Sequence, residues 1–183
     1  AFVQMDHASV LDEAFDDPFM FSSESWAQPY EDLWGHTAIA VRGAWEKSLG
    51  EGDIVAIVDT GIDYRHPDLQ ENLWVNAGDD LDGDGLFSEA YLNGVDDDVN
   101  GFIDDLHGYD FVGSAAGIEA GAGLAGDPDP IDDNGHGTHV ASTCAGSGAA
   151  LGGSYSGVAH EARLFVAKVL DQSGSGSMSG VMA

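Results

Sequence analysis

Asp59 closes the apolar run "IVAIVDTGID" (residues 54–63), and His136 lies in the Gly-flanked stretch "DDNGHGTHVAST" (132–143). An apolar run ending in Asp-Thr-Gly serves two unrelated chemistries. In one, a pair of aspartates activates a water molecule. In the other, an aspartate holds a histidine, and the histidine takes the proton of a serine nucleophile. The paired-aspartate arrangement needs Ser or Thr after Asp-Thr-Gly, and a second motif or a dimer partner. Here Ile62 and Asp63 follow, and no second Asp-Thr-Gly occurs. The second arrangement needs a histidine elsewhere, and His136 supplies it at a Gly-flanked helix start, where backbone can approach a ligand closely.

Other reactive types have blander readings. His139 lies three residues after His136, a helical spacing that a zinc pair would also use; a structural histidine is the simpler reading. Cys144, the single cysteine, permits no internal disulfide. It lies about two helical turns after His136, and a buried structural thiol fits it better than a nucleophile. Asp63 reads as a turn acid.

Two acidic loops carry the pattern of a cation site. From Asp80 the chain reads D-L-D-G-D-G, and from Asp96 D-D-D-V-N-G. Each puts oxygen side chains at loop positions one, three and five, with Gly at six: Asp80, Asp82, Asp84 and Gly85, then Asp96, Asp98, Asn100 and Gly101. Alternate residues converge their oxygens on one centre, and the glycine permits the tight turn. In the second loop the Phe102 carbonyl and Asp104 continue the pattern. Position twelve fails in both, being Tyr91 and His107 rather than a bidentate Glu, so neither is a full EF-hand. Glu89, Asp105 or a distant carbonyl could complete the shell. The expected ion is calcium; the alternative is a solvated acidic hairpin, in which such dense carboxylates would repel one another.

The elements that must position these groups alternate. Residues 53–58 form a continuous β-branched run, expected as a strand buried on both faces of a parallel sheet. Residues 108–112, "GYDFV", and 162–170, "ARLFVAKVL", are further strands, and 136–150 reads as a Gly/Ala-rich helix. Residues 37–49 place Ile39, Ala40, Ala44 and Trp45 near helical spacing, with Gly50 as a stop. Strand, helix, strand in succession indicates α/β layering. Residues 1–30 are acidic and aromatic without a period, and the tail "DQSGSGSMSG" reads by composition as a flexible loop.

Bulk numbers bound the partners. The chain has 183 residues, enough for one domain with a core, and 43% are apolar. Thirty-three acidic against five basic residues give −28, a charge that repels nucleic acid and anionic membranes. Ten of the acids fall between Asp79 and Asp105, which favours metal there, and the scattered remainder fits a salt-tolerant surface. No run of eighteen apolar residues occurs, so no membrane span is expected. The start, "AFVQMDHASV", has neither the basic n-region nor the apolar core of a signal peptide and lacks Met. The sequence reads as an excerpt or a processed product.

Together "IVAIVDTGID", "HPDL" (66–69), "NGHGTHVAST", "GVAHEARLFVAKVL" and "GSGS" resemble the subtilisin-like serine proteases, in that family's order, from about Trp34 onward. The resemblance implies a parallel-sheet α/β fold with helices on both faces, incomplete at the C-terminus. It divides the chain into an arm or pro-segment tail (1–30) and the N-terminal portion of a peptidase domain (31–183), with an acidic calcium-loop insertion at 76–110. It implies a serine endopeptidase in which Asp59 orients His136, and an edge segment, Gly174, Ser175 and Gly176, that pairs with substrate backbone. It further implies calcium as cofactor, a protein or peptide substrate, the protein's own pro-segment as a partner, secretion, and a monomer at full length. The chain departs from the family at Ser142, where Gly is usual, and at His160, where Pro is usual. The family's serine sits in G-T-S-M-A-x-P; "GSGSMSG" (174–180) imitates it, but Thr and Pro are absent, so Ser177 reads as a decoy and the nucleophile is expected after Ala183. The rival from another class is a non-catalytic calcium-binding interaction module.

Overall fold

The computed structural model describes residues 19, 22–25, 27–81, 83–86, 92–112, 126–149 and 156–177. Three strands form one parallel sheet. β1 (Ile54–Asp59) pairs with β3 (Arg163–Lys168), and β2 (Gly108–Asp110) pairs with the other side of β3, giving the order β1-β3-β2. Ile, Val, Ile and Val in β1 are stiff at χ1 and fit a pleated surface. The register sets Asp59 opposite Lys168, so both strands end at one level. Open α/β sheets gather their ligands at the carboxyl ends of strands.

Burial of β1 differs from expectation. Ile57 is buried, but Ile54 is 58% and Val58 50% exposed. Exposure alternates along the strand, so only one face is covered. Among the described residues β1 is one edge of the sheet, and α3 (His136–Ala145) lies against the covered face. Ile57, Leu164, Val166, Ala141 and Ala145 meet there with Ile62, Leu69 and Leu73 in a single core. Cys144, expected to be buried, is half-buried and packs against that core.

The side of α3 that faces the sheet is made of small residues: Gly137, Ala141 and Ala145 are its buried positions, four residues apart. Small side chains let the helix axis approach closely. At Gly137 the approach is to backbone, since a Cβ there would lie 2.1 Å from the Gly61 carbonyl oxygen. Gly137→Ala is therefore expected to push the helix start off the Asp-Thr-Gly turn. Overpacking of this kind costs about 1–3 kcal/mol, and a lowered midpoint in urea unfolding checks it.

The helix of the 37–49 segment is broken. α1 (Trp34–Ala38) and α2 (Val41–Trp45) are separated at Ala40, which has φ 54°. Val41 and Trp45 are the buried positions, four apart on α2, while Ile39 is 61% exposed. The left-handed residue resets the helical phase, which the sequence period does not register. Trp45 anchors the segment by donating from Nε1 to the Val158 carbonyl at 2.7 Å and packing edge-on against His160. The helix stops at Trp45, before the expected stop at Gly50, which itself has φ 96°. α3 also stops earlier than expected, at Ala145, where Gly146 N donates to the Ser142 carbonyl. Ser142, the departure from Gly, is absorbed because its hydroxyl bonds back to the His139 carbonyl at 2.9 Å.

Candidate active site

Asp59 is the last residue of β1 and His136 the first of α3. Their side chains meet: His136 Nδ1 lies 2.8 Å from one carboxylate oxygen of Asp59 and 2.9 Å from the other. Asp59 is the covered partner, with a side chain 14% exposed against 64% for His136. Thr60 N donates to Asp59 Oδ1 at 2.7 Å. An ionised carboxylate only accepts, so the facing Nδ1 must carry the proton. That leaves Nε2 of the neutral ring unprotonated and able to act as a base. Among the described residues Nε2 has no hydrogen-bond partner, and no described serine, Ser177 included, is bonded to it.

Asp132, Thr60, Thr138 and Lys168 hold this pair in place. Asp132 ties the Asp-Thr-Gly turn to the start of α3. Its Oδ1 accepts from Thr60 Oγ1 (2.8 Å), Gly135 N (2.9 Å) and Asn134 N (3.0 Å). Its Oδ2 accepts from Thr138 N (2.9 Å) and Thr138 Oγ1 (2.6 Å). Thr60 Oγ1 in turn accepts from Gly137 N at 2.9 Å. Burial works to raise the Asp132 carboxyl, but the donors from Thr138, Gly135 and Asn134 outweigh it and bring it down to about 2. Lys168, 4% exposed, donates from Nζ to the Thr60 carbonyl and to Asp133 Oδ1, both at 2.7 Å. A buried ammonium needs such partners. Two of these positions carried sequence signals. Asp132 precedes a helix start, where unpaired amides gather, and Lys168 is a charged residue set among apolar ones in "LFVAKVL". Asp63 is the expected turn acid, accepting from Arg65 N at 3.1 Å.

The segment after β3 is a closed turn rather than plain coil. Asp171 Oδ1 accepts from Ser173 N (2.8 Å), Ser173 Oγ (2.6 Å) and Ser175 N (3.0 Å). Two backbone bonds, Gly174 N to the Asp171 carbonyl and Asp171 N to the Ser175 carbonyl, close it at 2.8 Å each. The Ser173 hydroxyl, then the Ser175 and Ser173 amides, hold the Asp171 carboxyl below its ordinary range. Gly174, Ser175 and Gly176 thus follow β3 as a shaped segment, and Gly176, Ser177 and Ser175 border a groove with Phe111 and Val169.

Among the described residues, three carboxylates of the acidic segment come together in one group. Asp79, Asp98 and Asp105 bring one carboxylate oxygen each within 4.8 Å of one another. Asn76 Nδ2 donates to all three, at 3.1, 3.0 and 2.9 Å. Asn100 borders the group, donating from Nδ2 to Asp98 and Asp105. Asp98, expected as a loop ligand, and Asp105, expected to complete a shell, both belong to this group. Asp80 accepts from Gly83 N and Gly85 N, and Asp84 from Leu86 N. Asp96 accepts from Asn100 N and Gly101 N, and Asp104 from Asn93 N and Gly94 N. These carboxylates fold their own loops, a demand that spacing does not reveal. Phe102 packs its ring against Tyr109 and Phe111. Asp82 lies outside the described residues.

Asp79 is the unexpected member. It is 2% exposed, and its Oδ1 is buried with no hydrogen-bond partner. Burial first, then Asp105 and Asp98, push its carboxyl up to about 7. Three clustered carboxylates with an orphaned buried oxygen fit a hard divalent cation, which takes oxygen ligands.

The model of the Subtilase family matches residues 50–183. The chain belongs to the subtilase family. It is 38% identical over 118 residues to "Subtilisin-like protease 1" of Plasmodium vivax, covering 64% of this chain and 15% of that protein. It is 35% identical over 133 residues to "Serine protease AprX" of Bacillus subtilis (strain 168), covering 73% of this chain and 20% of that protein. Among solved structures it is similar to "Sphericase", at 30% identity and a TM-score of 0.44, covering 72% of this chain and 29% of that one. The subtilase chain described here therefore spans a fifth or less of the two sequence relatives.

Proposed function

We propose that this chain supplies the aspartate and histidine of a serine endopeptidase. The observation that carries the reading is the contact between Asp59 and His136 Nδ1 at 2.8 Å. Nε2 takes the proton of a serine supplied by sequence outside the 183 residues as the serine attacks the peptide carbonyl. The imidazolium that forms is stabilised by Asp59, and it then returns the proton to the leaving amine. Asp132, Thr60 and Lys168 keep the carboxylate and the ring in register through this cycle. Ser177 is not the nucleophile in this reading, because it follows β3 where the edge segment belongs.

Gly174, Ser175 and Gly176 receive the substrate main chain by strand addition, so the substrate is an extended peptide. Support comes from the turn that Asp171 closes at the end of β3. Calcium is the proposed cofactor, held by Asp79, Asp98 and Asp105 with Asn76 and Asn100 beside them. When bound, it neutralises three carboxylates and cross-links the acidic insertion. The protein is proposed to be secreted, monomeric at full length and paired with its own pro-segment during folding. Among the described residues no helix is long and apolar enough to cross a membrane.

A serine-directed fluorophosphonate probe tests the reading on the full-length protein. Covalent labelling that disappears in His136→Ala is the expected result. Absence of labelling in the parent protein would instead mark a non-catalytic calcium-binding module.

A further inference from the structure

We propose that Asn134 is a positioning residue that couples occupation of the Gly174–Gly176 edge to the setting of the His136 imidazole; the proposal rests on the protease reading above. Asn134 sits two residues before His136 and reaches in two directions. Its Oδ1 accepts from His136 N at 3.2 Å, and its Nδ2 donates to the Gln172 carbonyl at 3.0 Å. The partners fix the orientation of the amide, since a donor faces the oxygen and an acceptor faces the nitrogen. One side chain therefore joins the backbone of the proposed base to the turn that leads into the segment proposed to receive substrate, across 38 residues of sequence.

Both ends of this link are stiff. The Asn134 amide is fixed on Asp132 Oδ1, and Gln172 lies inside the turn that Asp171 closes through Ser173, Gly174 and Ser175. The His136 ring is by contrast 64% exposed, and Asp59 is its side-chain hydrogen-bond partner among the described residues. Its direction thus depends on where the backbone of residues 134–136 is held. A peptide laid along residues 174–176 loads the 171–175 turn, and the Gln172 carbonyl passes the displacement to Asn134. A small shift there matters, because an imidazole misplaced by about 1 Å can cost about a hundredfold in rate. The link gives long peptides an advantage in kcat and not only in KM, since remote binding energy is spent on orienting the reacting groups.

The test compares a short peptide that engages only the residue or two before the scissile bond with a longer one extending over the edge. Steady-state kcat and KM are measured for both in the full-length protein, in Asn134→Ala and in Asn134→Asp. The aspartate keeps an acceptor for His136 N and lacks the donor to Gln172. The ratio of kcat for long over short peptide is expected to fall about three- to tenfold in both variants, the size of one intramolecular hydrogen bond. A purely structural role would lower both rates together and leave the ratio unchanged, and that outcome overturns the proposal. Asn134→Asp keeps the test decisive where alanine destabilises the loop. A parent protein that cleaves neither peptide, or does so in His136→Ala, overturns the protease reading itself, which an unchanged ratio does not.

Discussion

His136→Ala in the full-length protein is expected to lower kcat for peptide hydrolysis by about a millionfold, and Asp59→Asn by about ten-thousandfold. The first figure is the scale known for the triad histidine of subtilisin, from the same family, and the second that of the Asp-to-Asn change in chymotrypsin-like triads; neither is obtained from this geometry. The geometry supplies the reason for the order. His136 handles the proton in both halves of the cycle, so its loss removes the base and the acid together. Asp59 acts through the ring, by accepting from Nδ1 at 2.8 Å and fixing the tautomer. An asparagine there can present its own N–H to Nδ1 and stabilise the wrong tautomer, yet the imidazole stays in place. Neither variant should disturb the fold greatly, because His136 is largely exposed and asparagine matches Asp59 in shape. Steady-state kinetics on one peptide, with thermal melting as the control for folding, checks both. Equal activity in His136→Ala and the parent would remove the residue from the mechanism.

Chelation of calcium is expected to lower the melting temperature of the full-length protein by about 5 °C at pH 8, and by less at pH 5. A cation present at about a hundred times its dissociation constant stabilises by about 2.7 kcal/mol. For domains of 150–250 residues each kcal/mol moves the midpoint by about 2–4 °C. The pH dependence follows from Asp79, whose carboxyl stands at about 7 in the fold against an ordinary 3.8. A raised folded value means that the folded state holds the proton more tightly than the unfolded chain. Stability from this group is fully present below pH about 4 and is lost as the pH climbs to about 7. The cation-free protein is thus weakened at pH 8, where three carboxylates crowd unneutralised, and relieved at pH 5, where Asp79 keeps its proton. Calcium corrects the former and competes with the proton in the latter. Asp79→Asn should abolish most of the difference between the two pH values. A melting temperature indifferent to chelation at both pH values would count against a cation at this centre.

The sequence made the pair legible because each member closes or opens an element whose pattern is strong. Five apolar residues before Asp59 define a strand end, and the glycines around His136 define a helix start. What it did not disclose is how the ends are joined. Asp132 and Lys168 act through partners 72 and 108 residues away in sequence, Thr60 in each case, and no local period encodes such contacts. The acidic loops show the same limit from the other side. Alternating acids predicted convergence within each loop, and Asp80, Asp84, Asp96 and Asp104 also accept from nearby amides, a loop-shaping role that spacing does not reveal. A group the spacing does not show forms where Asp79 and Asp105 meet Asp98. Ala40 gives the third case. One left-handed alanine splits a helix that composition alone presents as continuous.

The central claim is that the Asp59 carboxylate holds the proton on Nδ1 of His136 and leaves Nε2 bare. Nitrogen-15 NMR of ring-labelled histidine in the full-length protein, with His136 assigned by its loss in His136→Ala, reads the tautomer directly. The account predicts a protonated Nδ1 and an unprotonated Nε2 in the neutral ring, with that preference weakened or reversed in Asp59→Asn. A neutral ring protonated at Nε2, or a tautomer unmoved by Asp59→Asn, would contradict it.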